Sequence, residues 1–233
     1  MKWSGIITIL VLFMIAGKTI SIVSISNIKK QETINSINNC CKKFPFFDKK
    51  IFFTDEDGYD KDIKLKNINI INPDSYNNFV INDLYKYIDT DFILIVHYDG
   101  TIVNESLWDN KFLDYDYIGA PWPFSNVNMY TNDNSIHWQG NGGFCLRSRK
   151  FLYISSKIGD SNLRPAGYPE DVYLSIINRK LFELYNCTFA PIDLCKKFSF
   201  ENKFDENHTI QNSFGIHGKH NYNYIINILN EHR

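Results

Sequence analysis

The residues best suited to chemistry fall in three short runs. His97-Tyr98-Asp99-Gly100 closes an apolar stretch, residues 92–96, with one imidazole and one carboxylate. Hard divalent cations take carboxylate oxygen and Mn2+ also accepts imidazole, so Asp99 is the first candidate metal ligand and His97 the second. Asn141-Gly142-Gly143-Phe144 offers bare backbone amides to a ligand, and the nearby Trp138 has the apolar ring face on which sugars stack. In Pro169-Glu170-Asp171-Val172 the two adjacent acids cannot point the same way, so one caps a helix while the other faces a pocket as a base or hydroxyl-binding group. Each run also has a plain explanation, because Asp-Gly and Gly-Gly are common in turns and acids are favoured at helix starts.

The elements around these runs follow a βαβ pattern. Residues 19–25 alternate Ile and Val with Ser and Thr, which favours a strand. Residues 29–43 carry Ile34, Ile37 and Cys41 at helical spacing, with Pro45 stopping the helix, and residues 51–54 read as a second strand. Further strands are expected at 68–71, 92–96, 117–120 and 144–147, the third halted by Pro121-Trp122-Pro123. Helices are expected over 75–88, 108–113, 149–158 with Ser148 as cap, 170–180 and 222–232, and residues 124–139 and 163–169 read as loops. The whole is an α/β chain with a parallel sheet.

In open sheets of that kind ligands bind outside the carboxyl ends of the strands. That rule ranks the acidic pairs. Asp89-Thr90-Asp91 and Asp114-Tyr115-Asp116 precede their strands, whereas His97 and Asp99 follow theirs. Asp55 and Asp57 also follow a strand and could approach a nucleotide base or ribose, although a solvated loop explains them as well.

Composition narrows the classes of partner. The 233 residues are 44% hydrophobic and 15% aromatic, enough for a sizeable core. Against 26 acidic side chains stand 25 basic ones, with no basic run, so no field draws nucleic acid. The five cysteines, Cys40, Cys41, Cys145, Cys187 and Cys195, lack C-x-x-C spacing and read as buried free thiols, with a Cys187–Cys195 bridge as the alternative in an oxidising compartment. Sequons at Asn104, Asn186 and Asn207 are too easily met by chance in an Asn-rich chain to fix a compartment. Residues 1–18 form a hydrophobic extension, either a signal anchor or a buried segment, ahead of one domain over 19–233. The secretory membrane and the cytoplasm both remain open.

Taken together, the run from Trp108 to Trp122 (W-x3-F-x2-YDYIGAPW), Asn141-Gly-Gly-Phe-Cys-Leu-Arg147 and Pro169-Glu-Asp-Val172 resembles a glycosyltransferase-like domain family of formally unknown function. The resemblance covers roughly residues 19–220 and implies a GT-A type fold, a Rossmann-like sandwich with a mostly parallel central sheet flanked by helices. The order of motifs is also similar to that of the fringe and β-1,3-galactosyltransferase group. Carried over by position, it implies that Asp99 holds a divalent metal, Mn2+, on the diphosphate of a nucleotide sugar. Gly142 and Gly143 would line the sugar pocket with Asn141 and Trp138, and Asp171 or Glu170 would deprotonate the acceptor hydroxyl. His217, in a Phe-Gly-x-His tail, falls where many GT-A enzymes place a late metal ligand. Arg147 or Lys219 would help neutralise the leaving diphosphate. His97-Tyr98-Asp99 departs from a full D-x-D.

The activity this implies is transfer of a sugar from a UDP-linked donor to a glycan or protein acceptor, with inversion if Asp171 is the base. The competing reading is a non-catalytic carbohydrate-binding or scaffold protein on a decayed transferase fold. A nucleotidyltransferase is the weaker third, since no Lys/Arg-rich Gly loop follows the first strand.

Overall fold

A computed structural model describes residues 15–134, 136–159 and 168–230. Most of the hydrophobic extension, the loop at 163–169 except its last two residues, and the end of the expected final helix lie outside the described residues. Among the described residues no helix is long and apolar enough to cross a membrane.

The chain runs β1 (Ile20–Ile25), α1 (Lys30–Lys43), β2 (Lys49–Thr54), β3 (Gly58–Asp60) and β4 (Ile63–Asn67). A helix α2 follows (Pro73–Asn78), widening into a π-turn over Phe79–Asp83 and tightening into a 3-10 turn over Leu84–Tyr87. Next come β5 (Phe92–Val96), β6 (Gly100–Ile102), β7 (Tyr117–Ile118), β8 (Ala120–Trp122), β9 (Trp138–Gly140), β10 (Phe144–Ser148) and α3 (Arg149–Gly159). The last part holds α4 (Glu170–Val172, continued by a π-turn over Tyr173–Ile177), α5 (Arg179–Leu184), α6 (Ile192–Phe198), β11 (Ser199–Phe200), β12 (Gly215–His217) and α7 (Tyr222–Asn230).

Seven strands form the central sheet in the order β3-β4-β2-β1-β5-β10-β7. Strands β4, β2, β1 and β5 are parallel, and β10 runs antiparallel to both β5 and β7. Every residue of β1 and β5 is buried, because both faces are covered and alternate side chains enter opposite halves of the core. Ile93 and Ile95 join one cluster with Phe79, Leu84 and Phe151, while Phe92, Leu94 and Val96 join the other with Ile37, Phe112 and Phe198. Ser148 caps α3 as expected, its hydroxyl accepting from the Phe151 N–H at 2.9 Å. All five cysteines are free thiols.

Three sequence expectations are corrected. The strand expected at 68–71 lies earlier, at Ile63–Asn67, where lysines alternate with Ile63 and Leu65 on a strand that is partly exposed; Ile68 adds only one more bond, its N–H donating to the Thr54 carbonyl. The strand at 117–120 is not stopped by Pro121 but turns into β8, which pairs only with β9, a two-stranded ribbon in which proline is tolerated. The loop expected over 124–139 accordingly contains β9 and one helical turn, Phe124–Val127. The helix α6 and the short strands β6 and β11 were not anticipated.

Candidate metal and donor site

Strand β5 delivers its polar residues by leaving the sheet abruptly. The His97 N–H still donates to the Gly143 carbonyl at 2.9 Å, and the Gly100 N–H then closes a turn onto the His97 carbonyl at 3.1 Å. Strand β6 begins there and pairs antiparallel with β12, setting His217 opposite Gly100. Asp99 thereby meets an imidazole from the far end of the chain: His217 Nε2 lies 3.2 Å from Asp99 Oδ1. His97, Asp99 and His217 each present one ligand atom, all within 4.8 Å of one another.

The electrostatics of this trio suit a cation. Asp99 is 3% exposed, and its Oδ1 faces His217 Nε2 at 3.2 Å, a contact that a bound cation would replace. Burial alone would raise its pKa, but the hydrogen bond and charge of His217, with His97 adding, hold it below the ordinary carboxylate value. His97 is pushed down to about 4, chiefly by burial and then by His217, which leaves it the neutral imidazole that metals bind. It also shares a 2.8 Å hydrogen bond through Nε2 with the Tyr76 hydroxyl. Burial opposes a charge on His217 too, yet Asp99 and Glu201 overcome it and hold its pKa up at about 9. Glu201 Oε1 stands 3.5 Å from His217 Nδ1, and its Oε2 accepts from Trp122 Nε1 at 2.6 Å. One carboxylate and two imidazoles, His217 backed by Glu201, form a donor set that fits a borderline divalent cation, provided that binding displaces the proton His217 carries at neutral pH.

The two glycines sit between this trio and the acid pair. A Cβ on Gly143 would overlap the His217 ring, and one on Gly142 would overlap the Glu170 carboxylate. Their bareness serves the protein's own side chains, and the Gly142 N–H is taken by Asp171 Oδ2 at 2.8 Å. Asp171 Oδ1 accepts from the Val172 N–H at 2.8 Å, and the side chain remains partly exposed. Burial is the main cause that raises its pKa, with the Gly142 bond opposing.

Glu170 and Arg147 form a buried pair. Arg147 Nη2 reaches the two Glu170 oxygens at 3.0 and 2.8 Å, with side chains 0% and 3% exposed. Burial pushes Glu170 up to about 7 against the pull of Arg147. Arg147 therefore faces Glu170 and the Tyr117 ring, 5.4 Å from its centroid, and not an open cleft. Asn141 is buried in a left-handed turn (φ 76°) beside Ser199, and Trp138 is 5% exposed, packed on Val127, Val172 and Ile176 with its Nε1 donating to the Asp133 carbonyl.

A cavity of about 430 Å3 opens over the carboxyl ends of β1 and β5, walled by Ile25, Asn27, Ile70, Tyr76, His97 and Tyr98. Asp55 and Asp57 are not in its wall: Asp55 pairs with Lys30, and Asp57 accepts from the Asn67 N–H. At the rim the Lys29 ammonium sits 4.9 Å from the Tyr98 ring centroid and 4.8 Å from that of Tyr222.

Sequence reasoning missed Lys29, Tyr76 and Glu201. For Lys29 a signal was available, since a basic residue at the start of a helix opposes the dipole, and Lys29 also adopts φ 49° at that start. Glu201 and Tyr76 carry no local signal; Tyr76 reaches the trio through its hydroxyl on His97, and Glu201 because it follows β11, which pairs with the β12 that carries His217.

Solved structures place this architecture. A crystal structure of a glycosyltransferase involved in the glycosylation of the major capsid of PBCV-1 superposes with TM-score 0.53 at 12% identity, covering 86% of this chain and 93% of that one. The apo-form glycosyltransferase GlyE of Streptococcus pneumoniae TIGR4 gives 0.47 at 12% identity, over 85% of this chain and 54% of its own. Glucosyl-3-phosphoglycerate synthase from Mycobacterium tuberculosis, in complex with Mn2+ and uridine-diphosphate-glucose, gives 0.41 at 10% identity, over 61% and 60%. The fold is of the GT-A glycosyltransferase type, as the first of these likenesses establishes. No curated protein matches the sequence. Residues 61–217 match the profile of the family described as Protein of unknown function (DUF5672), and the chain belongs to that family.

Proposed function

We propose that the chain is a metal-dependent glycosyltransferase that moves a sugar from a UDP-linked donor to a hydroxyl of a glycan or protein acceptor. The observation that carries this reading is the convergence of His97, buried Asp99 and His217 beside the cavity at the carboxyl edge of the sheet. Those three side chains would hold a divalent cation, Mn2+. When bound, the cation supplies positive charge to the departing diphosphate.

The chain's own residues supply the rest. The 430 Å3 cavity receives the nucleoside, with Tyr76 and Tyr98 as ring walls. Lys29, seated between Tyr98 and Tyr222, adds a fixed positive charge at the rim. Asp171 takes the acceptor proton as its oxygen attacks the anomeric carbon, the bond from that carbon to the diphosphate breaks, and the electron pair leaves on the phosphate oxygen; attack from the opposite face inverts the centre. Glu170 and Arg147 act as a buried brace behind Gly142. The catalytic unit on this reading is the single domain 19–233, preceded by the hydrophobic extension 1–18.

Calorimetric titration of the full chain with UDP, with and without Mn2+, tests the reading. Binding that requires the metal, together with slow hydrolysis of at least one UDP-sugar, is expected. If no sugar nucleotide binds or is hydrolysed in the presence of Mn2+, the proposal fails. Sugar binding without transfer is the second reading, and it draws on one observation: both Asp171 oxygens already accept backbone N–H groups. Turnover abolished by Asp171→Asn would discard it.

A further inference from the structure

A second concave site lies one residue removed from the trio, linked to His217 through Glu201. It is a cup of about 250 Å3 lined chiefly by Trp122, Phe124, Asn134, His137, Trp138 and Phe204. We propose that this cup binds a neutral saccharide ring and is the acceptor subsite of the transfer proposed above, on which that role rests.

The cup is tied to the trio by named bonds. Trp122 pairs with Trp138 across the β8–β9 ribbon, and its ring lies over Gly140, where a Cβ would overlap it. Its Nε1 is fixed by Glu201, whose other oxygen faces His217. The donor cavity reaches the same trio through His97 and Tyr98. The cup is thus bonded, through Glu201, to His217 of the trio, whose other histidine walls the donor cavity, an arrangement suited to a reaction between two substrates.

The lining selects the chemistry of the occupant. Among the described residues the lining contains no Asp, Glu, Lys or Arg, so it carries no fixed charge to favour a phosphate or an ionised peptide side chain. Aromatic faces dominate and are held toward solvent: Phe124 is 40% exposed, and the exposed His137 ring stands edge-on to the half-buried Phe204, with centroids 5.8 Å apart. Apolar rings left in water cost roughly 25 cal/mol per Å2 that a ligand could cover. Asn134 and His137 put an amide and an imidazole among those rings. A pyranose matches both features, with a face of C–H groups for the rings and hydroxyls for the amide and imidazole.

The test uses the full chain without donor or metal. Saturation-transfer NMR would be run with the methyl glycosides of glucose, galactose, mannose and N-acetylglucosamine, and with the uncharged-side-chain peptide Gly-Ser-Thr-Gly. At least one glycoside should bind with Kd in the ~millimolar range, weakened about tenfold in Phe204→Ala, while UDP binding with Mn2+ stays unchanged. His137→Ala, at an exposed side chain, should weaken the same glycoside and keeps the test decisive if Phe204→Ala folds poorly. The inference is overturned if no glycoside binds, if neither variant weakens binding, or if the peptide binds in their place. Because neither donor nor metal is present, that failure would leave the transferase reading standing, and absence of UDP binding would leave the saccharide site standing.

Discussion

The two edges of the central sheet treat their carboxylates in opposite ways. At the amino edge Asp48 accepts from the Ile20 N–H at 2.8 Å, and Asp91 accepts from both the N–H and the hydroxyl of Thr19 at 2.9 Å. Asp116, at the start of β7, collects Ser148, Thr188 and Lys150. At the carboxyl edge Asp99 is more deeply buried, and its Oδ1 faces the His217 imidazole at 3.2 Å with the His97 ring close by. A carboxylate held by backbone and hydroxyl donors fixes strand ends, whereas a buried one flanked by two imidazoles forms a donor set that a cation can take over.

The comparison is broken most directly at Asp99. Asp99→Asn keeps the shape and removes the charge, so Mn2+-dependent UDP binding should disappear and turnover should fall by ~10^3-fold, the several kcal/mol of charge stabilisation that a held metal supplies. Thermal unfolding should move by no more than about 1 kcal/mol. Equal losses of stability and turnover would place Asp99 with the structural acids.

Glu170 tests whether burial alone makes a carboxylate functional. It is as buried as Asp99 but fully engaged by Arg147. Glu170→Ala should cost about 3–5 kcal/mol in chemical denaturation by stranding the guanidinium, while Arg147→Met with Glu170→Leu should recover most of that loss. Metal and UDP binding by the double variant should persist. If they vanish although stability returns, Glu170 belongs with Asp99 as part of the site.

These contrasts explain which features the sequence made legible. Strand β1 could be read from its β-branched residues and β5 because an apolar run without alternation fits a sheet covered on both faces, and Asp99 could be read because it ends that second run. His217 entered by resemblance alone, since its place beside Asp99 depends on β6 pairing with β12 across more than half the chain. Arg147 was legible as a cation but not in its partner. An arginine within a fully buried strand must be satisfied inside, and that observation points to Glu170 before any diphosphate. Trp138 illustrates the same limit, because its place beside Gly-Gly does not tell that β9 buries most of it, leaving it in the wall of the cup with the more open Trp122 and Phe204.

The smallest expected effect lies at the amino edge. Backbone donation from Thr19 lowers the Asp91 pKa despite partial burial, so the folded state holds the ionised form more tightly than the unfolded chain does. A depressed carboxylate contributes stability above its unfolded pKa, near 3.9, and that contribution is lost as pH falls through the lower folded value. Asp91→Asn should therefore lower stability at neutral pH by less than ~1 kcal/mol, since the residue is exposed to solvent, and should flatten the pH dependence of unfolding just below the ordinary Asp range. Mn2+ and UDP titrations should be unchanged. Should Asp91→Asn weaken metal binding as Asp99→Asn does, the two edges would not be different in kind, and the imidazole-flanked carboxylate of Asp99 would lose its standing as the mark of the site.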